Sequence, residues 1–147
     1  MPPYTMKKKN NKPIFFCGLG EKASDYKLLP KYLDIVPIDW NKIKLPKSKA
    51  DIVVGFSMGA ILACEYAARN KVKILILCSM TAGVESLKKI KADKINFLIG
   101  KKEKWVIKDT KRLLKTVKNK AKIIVIPKAS HKIDRNYLNK IIEQYNT

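Results

Sequence analysis

The chain has 147 residues, about one domain's worth, and 46% of them are hydrophobic, which excludes global disorder. No apolar run approaches the ~18 residues that a membrane-crossing helix needs. Thirty-two basic residues against 12 acidic ones give a net charge of +20, and all but Arg69, Arg112 and Arg135 of the basic ones are lysine. Base-specific readers of nucleic acid rely on the planar guanidinium fork, so this balance supports non-specific attraction to anions and no sequence-specific nucleic-acid partner.

The first twelve residues are basic and precede the apolar Ile14–Leu19, a faint imitation of a signal peptide. The apolar stretch is too short and runs into Glu21 and Lys22, so 1–12 reads as a flexible basic leader and 13–147 as a single domain. Six strand-like runs follow: Ile14–Cys17, Ile35–Ile38, Ile52–Phe56, Ile74–Cys78, Ile95–Ile99 and Ile123–Ile126. Most are continuous and β-branched, the pattern of strands buried on both faces. Pro37 assigns the second to a sheet edge.

Between them lie helix-like segments. Asp25–Leu33 carries Tyr26, Leu29 and Leu33 on one face, with Ser24 as expected N-cap. Met58–Arg69 is rich in alanine. Asp109–Lys118 groups Leu113, Leu114 and Val117, and Asp134–Tyr145 groups Leu138, Ile141, Ile142 and Tyr145 behind an N-cap at Asp134. Alternating strands and helices imply a three-layer α/β/α sandwich on a mainly parallel six-stranded sheet. The three cysteines Cys17, Cys64 and Cys78 show no paired spacing and predict buried free thiols and a cytoplasmic protein.

The chemistry-bearing residues follow strands. Gly55-Phe56-Ser57-Met58-Gly59 is a G-x-S-x-G that ends an apolar strand and opens an alanine-rich helix, the context of a nucleophile elbow. A tight turn of this kind has no room for side chains beside the serine, which accounts for Gly55 and Gly59. Ser57 needs a base, and the single histidine, His131, follows the sixth strand at the same sheet edge. A carboxylate should orient that imidazole, and Glu103 lies after the fifth strand in Gly100-Lys101-Lys102-Glu103. Asp109 and Asp93 are the alternatives. Asp109 is expected to cap the next helix, and Asp93 precedes its strand. After the fourth strand, another common place for the acid, stands Ser79-Met80-Thr81 with no carboxylate. Oxyanion donors are expected from the Met58 N–H and from the Leu19 N–H in Cys17-Gly18-Leu19-Gly20. This loop lacks the spacing of a phosphate-binding motif.

These four segments together, with Ala129-Ser130-His131 as the last, resemble the α/β-hydrolase superfamily from Pro13 to Tyr145. The resemblance implies the sheet order 2-1-3-4-5-6 and a minimal fold without a cap domain, since only Thr81–Lys94 joins the fourth strand to the fifth. Cys17 stands where such proteins often carry histidine, and Glu103 where aspartate is commoner. The implied activity is that of a carboxylesterase or thioesterase working through an acyl-enzyme, with no metal and no cofactor. Its partners would be a small acyl ester or thioester and, given the charge, an acidic carrier protein. The alternative is a catalytically inactive member of the fold that binds an acidic partner through its basic surface.

Overall fold

The computed structural model describes residues 12–83, 85–117 and 121–146. Six strands, β1 (Ile14–Phe16), β2 (Asp34–Ile35), β3 (Ile52–Phe56), β4 (Val72–Cys78), β5 (Ala92–Gly100) and β6 (Ala121–Ile126), form one sheet in the order β2-β1-β3-β4-β5-β6. All five pairings are parallel. The order and direction are those expected from the sequence. Parallel pairing puts every strand's carboxyl end on one edge, so the loops after β1, β3, β4, β5 and β6 converge there.

Among the described residues three α-helices cover the sheet: α1 (Met58–Arg69), α2 (Lys104–Leu114) and α3 (Arg135–Glu143). Strand side chains alternate between faces. Phe16, Val53, Leu75, Leu77, Ile95 and Phe97 pack with Ala60, Ala63, Cys64 and Ala67 of α1 and with Leu113 and Leu114 of α2. Phe15, Val54, Ile76 and Leu98 pack on the opposite face with Tyr137, Leu138 and Ile141 of α3. Both faces are thus covered, which is why the strands are apolar throughout. Cys17, Cys64 and Cys78 are free and buried, and burial pushes the Cys17 thiol up to about 11 and Cys64 up to about 12.

Several boundaries differ from expectation. The segment Asp25–Leu33 is not an α-helix but two 3₁₀ turns, Ala23–Asp25 and Leu29–Lys31. Pro30 brings no N–H and disfavours helical backbone before it, which stops an α-helix from propagating. Ser24 is not the cap: it lies inside the first turn, and the Lys22 N–H donates to Asp25 Oδ2 at 2.8 Å. Tyr26, Leu29 and Leu33 are nonetheless buried. Helix α2 begins at Lys104, five residues before the expected Asp109, so Asp109 caps nothing and instead faces Arg112 at 4.0 Å. Lys118, the expected end of that helix, lies outside the described residues. β2 is only two residues long and stops before Pro37. At α3 the Asp134 side chain does cap, accepting the Tyr137 N–H at 2.9 Å, but the α-helix stops at Glu143 and ends in a 3₁₀ turn over Gln144–Asn146.

The leader assigned to 1–12 falls outside the described residues except for Lys12, whose Nζ donates to Pro30 O at 2.6 Å and faces Asp34 at 3.7 Å. Between β4 and β5 the described chain forms one 3₁₀ turn, Glu85–Lys89. Among the described residues no helix is long and apolar enough to cross a membrane.

Candidate active site

Ser57 is the residue between β3 and α1, and its backbone has φ 56° and ψ −119°. An L-residue rarely adopts this conformation, at a cost of about 1–3 kcal/mol. The strain is held in place on both sides. The Ser57 N–H donates to Cys78 O at 2.8 Å, and the Ala60 N–H donates to Ser57 O at 3.0 Å. The two flanking glycines are steric necessities. A Cβ on Gly55 would stand 2.5 Å from Gly59 O and 2.6 Å from Ala60 Cα. One on Gly59 would stand 2.1 Å from Phe16 O and 2.3 Å from Cys17 O. The second contact also shows that the start of α1 lies against the end of β1, so the elbow and the Cys17–Gly20 loop are neighbours.

His131 Nε2 lies 3.1 Å from Ser57 Oγ, and His131 Nδ1 lies 2.6 Å from Glu103 Oε2. The three side chains therefore form one hydrogen-bonded chain from solvent to interior. The His131 side chain is 37% exposed and that of Glu103 only 3%. With Glu103 ionised, the Nδ1–H donates to Oε2 and leaves the Nε2 lone pair for the serine hydroxyl. The imidazole is flanked by Phe56, with ring centroids 5.0 Å apart, and by the exposed Trp105 at 6.4 Å.

The loops bearing Glu103 and His131 are tied to each other. The Lys101 N–H donates to Ile126 O at 2.9 Å and the Lys102 N–H to Ala129 O at 3.0 Å. Gly100 permits this approach, since a Cβ there would stand 2.4 Å from Ala129 O. Glu103 Oε1 faces away from the histidine and accepts two further bonds, from the Gly100 N–H at 2.9 Å and from Ser79 Oγ at 2.7 Å. Ser79 is itself buried, follows β4 with φ 48°, and lies 2.7 Å from the Tyr137 hydroxyl. That hydroxyl also donates to Leu98 O at 2.8 Å. Neither Ser79 nor Tyr137 was singled out by sequence. After the fourth strand, where the sequence carries no carboxylate, Ser79 stands bonded to Glu103 of the next loop.

Met58 opens α1, so its N–H is among the helix-start amides that have no intrahelical partner. Leu19 lies in the turn closed by the Glu21 N–H to Gly18 O bond at 3.0 Å, and among the described residues its N–H has no partner. Both side chains are exposed, Leu19 at 62% and Met58 at 38%. The start of this turn is fixed by Glu21, whose Oε1 accepts the Gly18 N–H at 2.9 Å and the Tyr26 hydroxyl. Burial and that carboxylate push the Tyr26 phenol well up, so it stays a donor. No sequence signal marks this pair, because the bond joins residues without a motif spacing.

No group of three or more His, Cys, Asp or Glu side chains that could hold a metal occurs among the described residues. A hollow of about 400 Å³ lined by Glu21–Ser24 and Ile35–Ile38 borders the β1 loop. A second, of about 420 Å³, lies away from Ser57 between Ile43–Leu45 and the α1 residues Leu62, Glu65 and Arg69.

No protein-family model matches the chain, and no curated protein matches it in sequence. Solved structures do. Esterase PE8 superposes with a TM-score of 0.64 at 14% identity over 91% of this chain and 90% of its own. The dienelactone hydrolase of Anabaena variabilis ATCC 29413 superposes with a TM-score of 0.57 at 21% identity over 65% of this chain. The chain spans less than half of that enzyme's length, 46%. At these identities the likeness speaks to architecture, and with the all-parallel sheet and its strand order it establishes that this chain has the α/β-hydrolase fold.

Proposed function

We propose that the protein is a serine hydrolase that cleaves carboxylic esters or thioesters through an acyl-enzyme on Ser57. The observation that carries this reading is the continuous hydrogen-bonded chain Ser57 Oγ, His131, Glu103, at 3.1 and 2.6 Å, ending at a serine in a strained elbow. Strain of this kind persists where the surroundings enforce it, and here it presents a hydroxyl to solvent at a helix start.

Ser57 Oγ attacks the acyl carbonyl while His131 Nε2 takes its proton. The negative charge that develops on the carbonyl oxygen is met by the Met58 and Leu19 N–H groups. Collapse of the tetrahedral adduct breaks the bond to the alcohol or thiol, which leaves with the proton from His131. Water then attacks the acyl-serine, giving its proton to His131, and the acid departs as the proton returns to Ser57 Oγ. Glu103 stabilises the imidazolium that forms in each half. Ser57, His131, Met58 and Leu19 all reach solvent, which favours short or protruding acyl groups over chains that need an enclosing cavity.

The test is reaction with a fluorophosphonate probe, followed by hydrolysis of p-nitrophenyl acetate across pH 5–8. Wild type is expected to be labelled, His131→Ala is not, and the rate rises with pH as the imidazole loses its proton. A well-folded wild type that takes no label, or a flat pH profile, would contradict the reading.

The charge distribution supports an anionic substrate or an acyl group presented by an acidic carrier. At the amino edge of the sheet, Lys71 pairs with Asp93 at 2.7 Å and Lys73 with Asp51 at 3.7 Å, while Lys91 and Lys122 form no ion pair among the described residues. At the catalytic edge Lys101, Lys102, Lys104, Lys128 and Lys132 are exposed and form no ion pair among the described residues. Lys128 even holds a left-handed φ of 63°, where glycine is easier. A nitrophenyl ester bearing a free carboxylate should lose kcat/KM several-fold as salt rises toward 0.5 M, where the screening length falls to about 4 Å. The neutral acetate should not. Equal salt dependence of the two would remove the electrostatic part of the proposal.

A further inference from the structure

We propose that Ser79 and Tyr137 are positioning residues for Glu103, holding its carboxylate aimed at His131 Nδ1; this rests on the hydrolase reading above. The hydrogen inventory argues for it. Ser79 has one hydroxyl hydrogen, and Glu103 Oε1, which as a carboxylate oxygen can only accept, lies 2.7 Å from it. Ser79 therefore donates to Glu103. Toward Tyr137, 2.7 Å away, Ser79 can then only accept, so the phenol is the donor of that contact. The phenol hydrogen is shared between Ser79 Oγ and Leu98 O, both within 2.8 Å. Donors thus run in one direction, from Tyr137 through Ser79 to Glu103, and end on a negative charge.

The backbone gives an independent sign of the same role. Ser79 has φ 48° and is fully buried, and its N–H donates to Leu98 O at 2.7 Å. A glycine would fill that position without strain, yet a residue with a hydroxyl stands there, next to the nucleophile's own anchor at Cys78 O. The other titratable groups against the carboxylate are His131, Tyr137 and Cys78. Burial pushes the Tyr137 phenol and the Cys78 thiol well up, so both remain neutral donors over the working range. The charged groups on the flanking loops, Lys101, Lys102, Lys104, Lys128 and Lys132, are exposed and are not altered by the substitutions below.

The experiment uses Ser79→Gly and Tyr137→Phe, read by kinetics and by NMR. Ser79→Gly relieves the positive φ while removing the hydroxyl, and Glu103 and Tyr137 each keep another bond, to Gly100 N and Leu98 O. A loss of activity is then not a loss of fold, which thermal melting verifies. Because His131 is the only histidine, its ring signals are identified without assignment. Removing a donor from the buried carboxylate concentrates charge on it and binds the imidazolium more tightly. The expected result in Ser79→Gly is about a tenfold fall in kcat with KM within about twofold, a hydrogen bond to a charged group being involved. The His131 titration and the acid limb of the rate profile should both move to higher pH. Tyr137→Phe should shift both the same way by less. Wild-type kcat and an unmoved His131 titration in both variants would overturn the proposal, and an unmoved Tyr137→Phe alone would remove Tyr137 from it. The His131 titration reads the carboxylate's placement even in a protein that turns over no ester. An inert wild type would therefore count against the hydrolase reading and leave this proposal decided by NMR.

Discussion

Ser57→Ala is expected to abolish fluorophosphonate labelling and to lower kcat for p-nitrophenyl acetate by at least about 10⁴-fold, because it removes the hydroxyl proposed to form the acyl-enzyme. The residual rate would come from the Met58 and Leu19 amides alone. The substitution should leave stability almost unchanged. Among the described residues the one hydrogen-bond partner of Ser57 Oγ is His131 Nε2, at a half-buried position within reach of water, and alanine keeps the same backbone strain. Ser57→Gly is the informative companion. It should be as inactive, yet more stable by about 1 kcal/mol, because glycine adopts φ 56° and ψ −119° freely. A stabilised, inactive glycine variant would show that the elbow's strain serves chemistry and not folding. Labelling that persists in both variants would place the nucleophile elsewhere. None of the three cysteines is a good candidate, since all are buried and burial pushes each thiol up.

The sheet was legible because parallel strands covered on both faces must be apolar at every position, and Ile52–Phe56 and Ile74–Cys78 show that without ambiguity. The helices were less so. At Tyr26, Leu29 and Leu33 the apolar spacing reports burial correctly, but two 3₁₀ turns bury those side chains as well as an α-helix would. Spacing alone does not separate the two; Pro30 does. For α2, Val106, Ile107, Leu113 and Leu114 keep helical spacing from the first turn onward, but Asp109, a good N-cap residue inside the helix, and the exposed Trp105 mislead about where it starts. The start matters to the site, because it places Glu103 at the N-cap position, directly before the helix, where its buried side chain serves His131 and makes no cap bond.

Of the site, Ser57, Glu103 and His131 could be named because the proposed nucleophile, acid and base each follow a strand at one edge, and the structure links their side chains in one hydrogen-bonded chain. Ser79, Tyr137, Glu21 and Tyr26 could not. Their contacts depend on which way a buried side chain turns and on a positive φ at Ser79, neither of which leaves a pattern in one sequence. Tyr137 was hidden most fully, since the apolar face of α3 reads complete with Leu138, Ile141 and Ile142.

Those contacts sharpen the second large prediction, Glu103→Gln. The side chains are nearly isosteric, so the question is which end of the amide faces the histidine. Oε1 of Glu103 receives two donors, Ser79 Oγ and the Gly100 N–H. An NH₂ group placed there would meet hydrogens on both sides, so the amide oxygen must take that position. The NH₂ then faces His131 Nδ1, which can satisfy it only as an acceptor. The ring hydrogen moves to Nε2, and the nitrogen facing Ser57 Oγ at 3.1 Å can no longer accept the serine proton. The expected loss in kcat is about 10³–10⁴-fold with KM little changed, the size associated with a wrongly held tautomer. ¹⁵N shifts of the single imidazole should report Nε2–H in the variant and Nδ1–H in wild type. Glu103→Asp separates charge from reach: it keeps the tautomer-setting carboxylate but shortens it by one methylene, so it should recover part of the rate and the wild-type tautomer. Activity of Glu103→Gln within tenfold of wild type would mean that His131 takes its tautomer from something other than Glu103, and the buried donors behind that carboxylate would then have no catalytic role.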